Sequence, residues 1–189
     1  DATANDPNLA RRTQMYLGTV PASTPRIFLR CSILYHARDF DGVLQYANET
    51  GNTSPLVHEI RAEALRKLSR FDEALAEADA VLRECDHDLQ ATWALETKLN
   101  ALACKGYVKL RQGVLEEAKG LFREAQDVCE QTGGHASRVT MGLAYAAQQS
   151  KQYQAAMGYA RAVLERDPDN KKATALIGDL SRQNRKGAA

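Results

Sequence analysis

Apolar and small residues recur along this chain at spacings of three and four, the spacing that keeps side chains on one face of an α-helix. The pattern begins with a large apolar residue and continues at +3, +7 and +10. Its clear copies are Phe71-Ala74-Ala78-Val81, Leu115-Ala118-Phe122-Ala125 and Tyr153-Ala156-Ala160-Val163, and a weaker copy is Phe40-Val43-Ala47-Thr50. The recurrence predicts a series of amphipathic helices that bury the same face.

A second helical pattern precedes each copy and carries a small residue twelve positions before the second member of that copy. These residues are Cys31, Ala62, Gly106 and Ala144. Small residues at fixed places on two consecutive helices let the two helices cross closely. The chain is therefore expected to be an array of helical hairpins, an architecture that usually binds other proteins.

The helices expected from these patterns form four hairpins and one final helix. Their predicted ranges are 25–38 with 40–50, 55–68 with 71–85, 89–112 with 114–131, 136–150 with 153–166, and 170–184. The 44 positions from Ala74 to Ala118 exceed a regular repeat, and no Pro or Gly interrupts residues 89–105, so the extra residues are expected to lengthen one helix.

These residues resemble the tetratricopeptide repeat, a helix–turn–helix unit of about 34 residues. The best matches are Gly106…Leu115…Ala118…Phe122…Ala125 and Ala144…Tyr153…Ala156…Ala160…Pro168. The turns resemble those of the family at Arg166-Asp167-Pro168-Asp169-Asn170 and at Arg70-Phe71-Asp72-Glu73-Ala74. The resemblance implies an all-α fold, a right-handed α-solenoid of about four repeats plus a C-terminal capping helix. It covers residues 24–184, leaving an N-terminal extension, 1–23, with a short helix at Leu9 to Leu17, and a tail, 185–189.

The composition and charge of the chain limit the classes of partner that it is expected to bind. The chain has 189 residues, 44% hydrophobic and 26% charged, with a formal net charge of +1. That balance gives no electrostatic case for nucleic acid, and no apolar run approaches the roughly 20 residues that span a bilayer. We therefore expect a protein or peptide partner within a multi-subunit complex, without nucleic acid or membrane insertion.

The cysteines indicate a compartment. Cys31, Cys85, Cys104 and Cys129 show neither metal-ligand nor redox-motif spacing. Reduced structural thiols are typical of an intracellular protein, and we expect a cytoplasmic one. Because the chain begins at Asp1, an organellar location after removal of a targeting peptide stays open as an alternative.

No motif indicates catalysis, and the sequence predicts a non-enzymatic protein without catalytic residues, metal or cofactor. The four histidines are scattered, and His87 between Asp86 and Asp88 reads as an acidic helix-end turn more readily than as a metal site. An enzyme or metal-binding protein remains the minor alternative.

The family resemblance implies that the first helices of successive hairpins line a concave groove. The partner-binding residues expected there are Tyr35, Tyr107, Arg111, Met141, Tyr145 and Gln148. Tyrosine suits such a surface because it offers contact area and a hydroxyl, although the same tyrosines could instead pack between hairpins. The extension of the long helix around Trp93 and Leu95 is a second candidate surface.

The carboxylate clamp by which some family members hold chaperone tails is not reproduced in any register of this sequence, so a chaperone-tail adaptor is not expected. The leading hypothesis is a scaffold subunit of a larger intracellular complex, binding a partner helix or extended segment in its groove. The alternative is a vesicle-tethering subunit, because residues 105–170 also resemble the repeat region of the TRAPP complex.

Overall fold

The computed structural model describes residues 23–85, 92–131 and 136–187, and every regular element within those ranges is an α-helix. In chain order we label them α1 (Ser23–His36), α2 (Phe40–Thr50), α3 (Pro55–Lys67), α4 (Phe71–Cys85), α5 (Thr92–Arg111), α6 (Leu115–Gln131), α7 (Ser137–Gln149), α8 (Tyr153–Leu164) and α9 (Lys171–Gly187). The predicted all-α class is confirmed over these residues.

The observed bounds follow the predicted ones closely. The second helix of each hairpin begins at the large apolar residue that opens the pattern, namely Phe40, Phe71, Leu115 and Tyr153. The predicted long helix is α5, with 20 residues. Three expectations lie outside the described residues: the short helix at Leu9 to Leu17, the Asp86-His87-Asp88 turn, and the side chain of Trp93.

The same backbone turn joins the helices of all four predicted hairpins. One residue in each turn is left-handed, with φ of 65° at Arg38, 61° at Ser69, 79° at Gly113 and 60° at Lys151. The N–H of each of these residues donates to the carbonyl three positions earlier, and the next N–H donates to the carbonyl five positions before it. This is the Schellman motif, which satisfies carbonyls at the end of a helix. The second helix then starts two residues after the left-handed one in every case.

The chain divides into two compact units, Asp1–Cys104 and Lys105–Ala189, and the boundary falls within α5. In the N-terminal unit, α1 packs on α2 and α3, α2 packs on α3, and α3 packs on α4. One core cluster of this unit brings α3, α4 and α5 together. Its buried members are Ala62, Ala78, Val81, Cys85, Ala94, Ala101 and Cys104.

In the C-terminal unit, α7 packs on α6 and α8, and α9 packs on α8. The core here combines small residues with methionine and branched side chains. The buried members of its main cluster are Met141, Ala144, Ala147, Ala156, Met157, Ala160, Val163, Ala173, Leu176 and Leu180. The predicted capping helix α9 supplies the last three of these and exposes Lys171 and Lys172.

The small residues identified by their spacing are all buried. Cys31, Ala62 and Ala144 are each no more than 1% exposed, and Gly106 is also buried. Phe122 fills the space next to Gly106, since a Cβ built on Gly106 would stand 2.7 Å from Cε1 of that ring. The close crossing predicted at Gly106 therefore exists, and the side chain that occupies it is the aromatic member of the α6 pattern.

Candidate functional site

Tyr35 is the predicted partner-binding residue of the N-terminal unit. It lies on α1, is half-buried, and its hydroxyl donates to Oε2 of Glu63 on α3 over 3.3 Å. Its ring packs edge-on against His36, at a centroid distance of 5.9 Å, and against Phe40, at 5.4 Å. Tyr35 therefore joins α1 to α3 while the residue stays partly accessible.

The two acidic residues on α3 are more buried than residues on a solvent-exposed helix face. Glu59 is 5% exposed and Glu63 is 7% exposed. Nη2 of Arg66 donates to Oε2 of Glu63 over 2.7 Å, on the same oxygen that accepts from Tyr35. A buried carboxylate requires such partners, because an isolated charge is costly to remove from water. The Arg66 partner offsets the negative charge of Glu63, so this residue presents little net charge to a ligand.

A cluster of His58, Arg61 and Glu77 was not anticipated from the sequence. Nδ1 of His58 lies 2.5 Å from Oε2 of Glu77, and Nη2 of Arg61 lies 2.7 Å from the other oxygen. Both oxygens of Glu77 on α4 are thus bound by side chains of α3. The three-residue spacing of His58 and Arg61 was the available signal, since it puts both on one face, but only the packing of α4 reveals their partner.

This cluster does not activate the cysteine that lies near it. Arg61 lowers the pKa of the Cys31 thiol, but burial is the larger effect and raises that pKa from 9.0 to about 11. Cys31 is 0% exposed. The thiol is therefore protonated at neutral pH, and a nucleophilic role would require the thiolate.

Tyr107 anchors α5 to α7 in the C-terminal unit. Its hydroxyl donates to the carbonyl oxygen of Arg138 over 2.7 Å, and its ring packs edge-on against Phe122 with centroids 5.1 Å apart. The guanidinium carbon of Arg138 lies 5.6 Å from the centre of the Tyr107 ring, within the range of a cation–π contact. Tyr107 is half-buried and contributes to packing as well as to the surface.

The other predicted residues of this unit differ in exposure. Met141 is 3% exposed and belongs to the core cluster, whereas Tyr145 and Gln148 are half-buried and Arg111 is exposed. Tyr145 packs against that cluster, and burial raises the pKa of its hydroxyl. Arg111 is therefore the predicted residue of this unit with the most direct access to a partner, and Tyr145 and Gln148 have partial access, as Tyr107 has.

Arg138 is a candidate residue that the sequence patterns did not predict. It lies on α7 three residues before Met141 and seven before Tyr145, so all three share one helical face. That spacing was the signal, and the contact with Tyr107 adds Arg138 to the candidate residues.

A depression of about 260 Å³ opens between α6, α7 and α8, and none of the predicted residues lines it. Its lining is mixed, with hydroxyls, an amide and charges of both signs. The lining residues are Gln126, Ser137, Thr140, Tyr159, Ala162, Val163, Glu165 and Arg166. Such a depression suits a polar side chain of a partner better than an apolar small molecule.

Over the described ranges, no group of three or more His, Cys, Asp or Glu side chains is placed to hold a metal ion. None of the helices in the same part of the chain has the length and apolar character needed to cross a membrane.

No model of a known protein family matches this chain, and comparison with the curated proteins also finds no match.

Proposed function

We propose that this protein is a non-catalytic scaffold, one subunit of a larger complex, built as a right-handed solenoid of tetratricopeptide-like hairpins. The observation that carries the proposal is the repetition of one turn. Four Schellman motifs, centred on Arg38, Ser69, Gly113 and Lys151, join helices whose small residues are buried in the same register. Repetition of one hairpin unit is the defining property of helical-repeat proteins, and their common role is to bind other proteins.

The proposed binding residues lie on first helices of the hairpins: Tyr35 in the N-terminal unit, and Tyr107, Arg111, Tyr145 and Gln148 in the C-terminal unit. Met141 is left out because it is buried in the core cluster. A helix or extended segment of a partner would lie against such a face. Tyr145 and Gln148 support this assignment because both are half-buried on α7, one turn apart. A half-buried tyrosine is pre-ordered by its packing, so binding costs it little conformational entropy.

The experiment is affinity capture with the full chain immobilised, followed by mass spectrometry of the bound proteins. We expect the double variant Tyr145→Ala/Gln148→Ala to lose its partner, because central aromatic contacts contribute about 2 kcal/mol or more. The matched control is Gln154→Ala, an exposed residue of the second helix α8. Thermal melts of both variants establish that they are folded.

Equal capture by wild type and by the folded double variant would contradict the proposed site. Turnover of a substrate or stoichiometric metal in the purified chain would contradict the non-catalytic role itself.

A further inference from the structure

The depression between α6, α7 and α8 has a positive side and a negative side. Ser137 and Thr140 line it from the first turn of α7, and Val163 and Glu165 line it from the end of α8. The aligned peptide dipoles leave about half a positive charge at the start of a helix and about half a negative charge at its end. The two helix termini therefore act with opposite sign on a group that lies between them.

The two charged side chains of the lining repeat this balance. Glu165 and Arg166 are consecutive in the chain, both are exposed, and they carry opposite charges. A carboxylate ligand would meet the carboxylate of Glu165, and an ammonium ligand would meet the guanidinium of Arg166. The depression is therefore polar but close to neutral in sum, which disfavours a ligand with a net charge.

Hydroxyls and an amide supply the other polar contacts of the lining. The Thr140 hydroxyl donates to the carbonyl oxygen of Ala136 over 3.4 Å, so its oxygen keeps lone pairs that can accept a hydrogen bond. Tyr159 is half-buried and packs against the core cluster of this unit, which orders its ring beside the depression. Gln126 on α6 adds a carboxamide, which both donates and accepts. The lining thus offers donors and acceptors together.

The size of the depression suits one long side chain, since about 260 Å³ is below the roughly 300–1,000 Å³ of sites for drug-sized ligands. We propose that it binds the carboxamide of a glutamine side chain from a partner protein. The carbonyl oxygen of that group would face the start of α7, and its N–H groups would face Glu165. A carboxamide suits this lining because it places an acceptor and two donors on opposite sides of one uncharged group.

This inference goes beyond the proposed function, because none of the residues of the proposed first-helix site lines the depression. It assigns a separate contact point on the surface that α6, α7 and α8 form together. The test uses short peptides instead of a captured partner, so its result does not depend on the result of affinity capture.

The experiment is titration of the isotope-labelled full chain with four capped tripeptides, followed by the NMR shifts of its backbone amides. The peptides are acetyl-Gly-X-Gly-N-methylamide, in which X is Gln, Glu, Lys or Met, so that only the Gln peptide carries a primary carboxamide. We expect saturable shifts at Ser137, Thr140 and Tyr159 with millimolar Gln peptide, since one side chain makes few contacts. The other three should bind at least about fivefold more weakly, because each leaves polar groups of the lining without a partner.

Variants of Thr140 test the lining itself. Thr140→Val removes the hydroxyl at nearly constant volume and should weaken binding of the Gln peptide about fivefold, whereas Thr140→Ser keeps the hydroxyl and should bind like wild type. The matched control is Thr174→Val on α9. Thr174 is exposed, lies outside the depression, and donates to the carbonyl oxygen of Asn170 one turn earlier, as Thr140 does to that of Ala136. This control should bind like wild type.

Equal binding of the four peptides would overturn the inference, and so would tighter binding of the Glu or Lys peptide. The absence of saturable shifts with the Gln peptide, or equal affinity of wild type and folded Thr140→Val, would do the same. Tighter binding of free glutamine than of the Gln peptide would overturn the assignment to a partner protein. If any of these occurs while partner capture still depends on Tyr145 and Gln148, the scaffold function stands and only the carboxamide site fails.

Discussion

The ring of Phe122 on α6 occupies the space that Gly106 on α5 leaves open. A Cβ on Gly106 would lie 2.7 Å from Cε1 of that ring, closer than real carbon contacts allow. Gly142 on α7 approaches the same ring, and a Cβ there would also overlap it. Phe122 is 0% exposed, so the ring has no solvent-filled space into which to move.

Replacing either glycine with alanine should therefore destabilise the protein. We expect Gly106→Ala and Gly142→Ala each to lower the free energy of unfolding by about 1–3 kcal/mol, since overpacking outweighs the better helix propensity of alanine. Chemical denaturation measures the change.

Gly120 provides the control, because it lies on α6, is exposed, and has no atom of another side chain within 4 Å of the position that a Cβ would occupy. Gly120→Ala should raise stability by about 0.5–1 kcal/mol through helix propensity alone. If Gly106→Ala raised stability as Gly120→Ala does, the ring would not be packed as described. Adding Phe122→Leu to Gly142→Ala should lose less than the sum of the single changes, because the smaller side chain relieves the overlap.

Glycine substitutions in three of the turns should instead stabilise the protein. Arg38, Ser69 and Lys151 adopt left-handed backbone angles that cost a residue with a Cβ about 1 kcal/mol or more. Replacing each with glycine should raise the free energy of unfolding by a few tenths to about 1 kcal/mol, since the greater freedom of glycine in the unfolded chain offsets part of the gain.

Gly113→Ala is the reciprocal control at the fourth turn, where φ is 79°, and it should lower stability by about 1 kcal/mol. Urea denaturation of the four variants under one condition gives the comparison. A loss of stability in all three glycine variants would contradict the shared turn geometry.

The hydroxyl of Tyr107 should contribute measurably to stability. Tyr107→Phe keeps the ring against Phe122 but removes the donor to the carbonyl of Arg138, and we expect a loss of about 1 kcal/mol. Tyr145→Phe should change stability less, because burial is the only cause that shifts the pKa of its hydroxyl and no hydrogen bond contributes to that shift. Equal effects of the two changes would argue against the bond from Tyr107 to α7.

Cys31 should make the protein less stable in alkali. Burial raises the pKa of its thiol from 9.0 to about 11, so the folded state favours the neutral form more than the unfolded state does. The resulting stabilisation is complete below about pH 9 and is lost as the pH rises from there to about 11. Denaturation midpoints across this range should fall more steeply for wild type than for Cys31→Ala. Parallel pH profiles would show that other groups dominate the alkaline loss.

Much of the helical architecture could be predicted because it depends on local periodicity. The four-point pattern located the starts of α2, α4, α6 and α8, and the small residues twelve positions before its second member are all buried. The spacing alone did not identify Phe122 as the side chain that faces Gly106. Residues at +3, +7 and +10 share one helical face, and which of them approaches the neighbouring helix depends on its packing angle.

The polar contacts were harder to predict because their partners come from other helices. Glu77 is bound by His58 and Arg61 of α3, and nothing in the α4 sequence indicates it. Lys119 is only 8% exposed although it lies in a charged stretch; its Nζ donates to Glu116 of its own helix over 2.8 Å and also to Oε1 of Gln152, just before α8, over 3.5 Å. The predicted partner-binding residues stay predictions, since only binding of a partner shows which of them contact it.

The contact between Phe122 and Gly142 also fixes the order in which hairpins can follow one another. Gly142 stands two residues before Ala144, the small residue of α7. The residues at the same place before the small residues of α1 and α3 are Leu29 and Ile60. A copy of α1 or α3 inserted after α6 would place a branched side chain where Phe122 already lies. Duplication or recombination of hairpins in this gene would therefore give a stable product only if the aromatic residue and the glycine that accommodates it were inherited together.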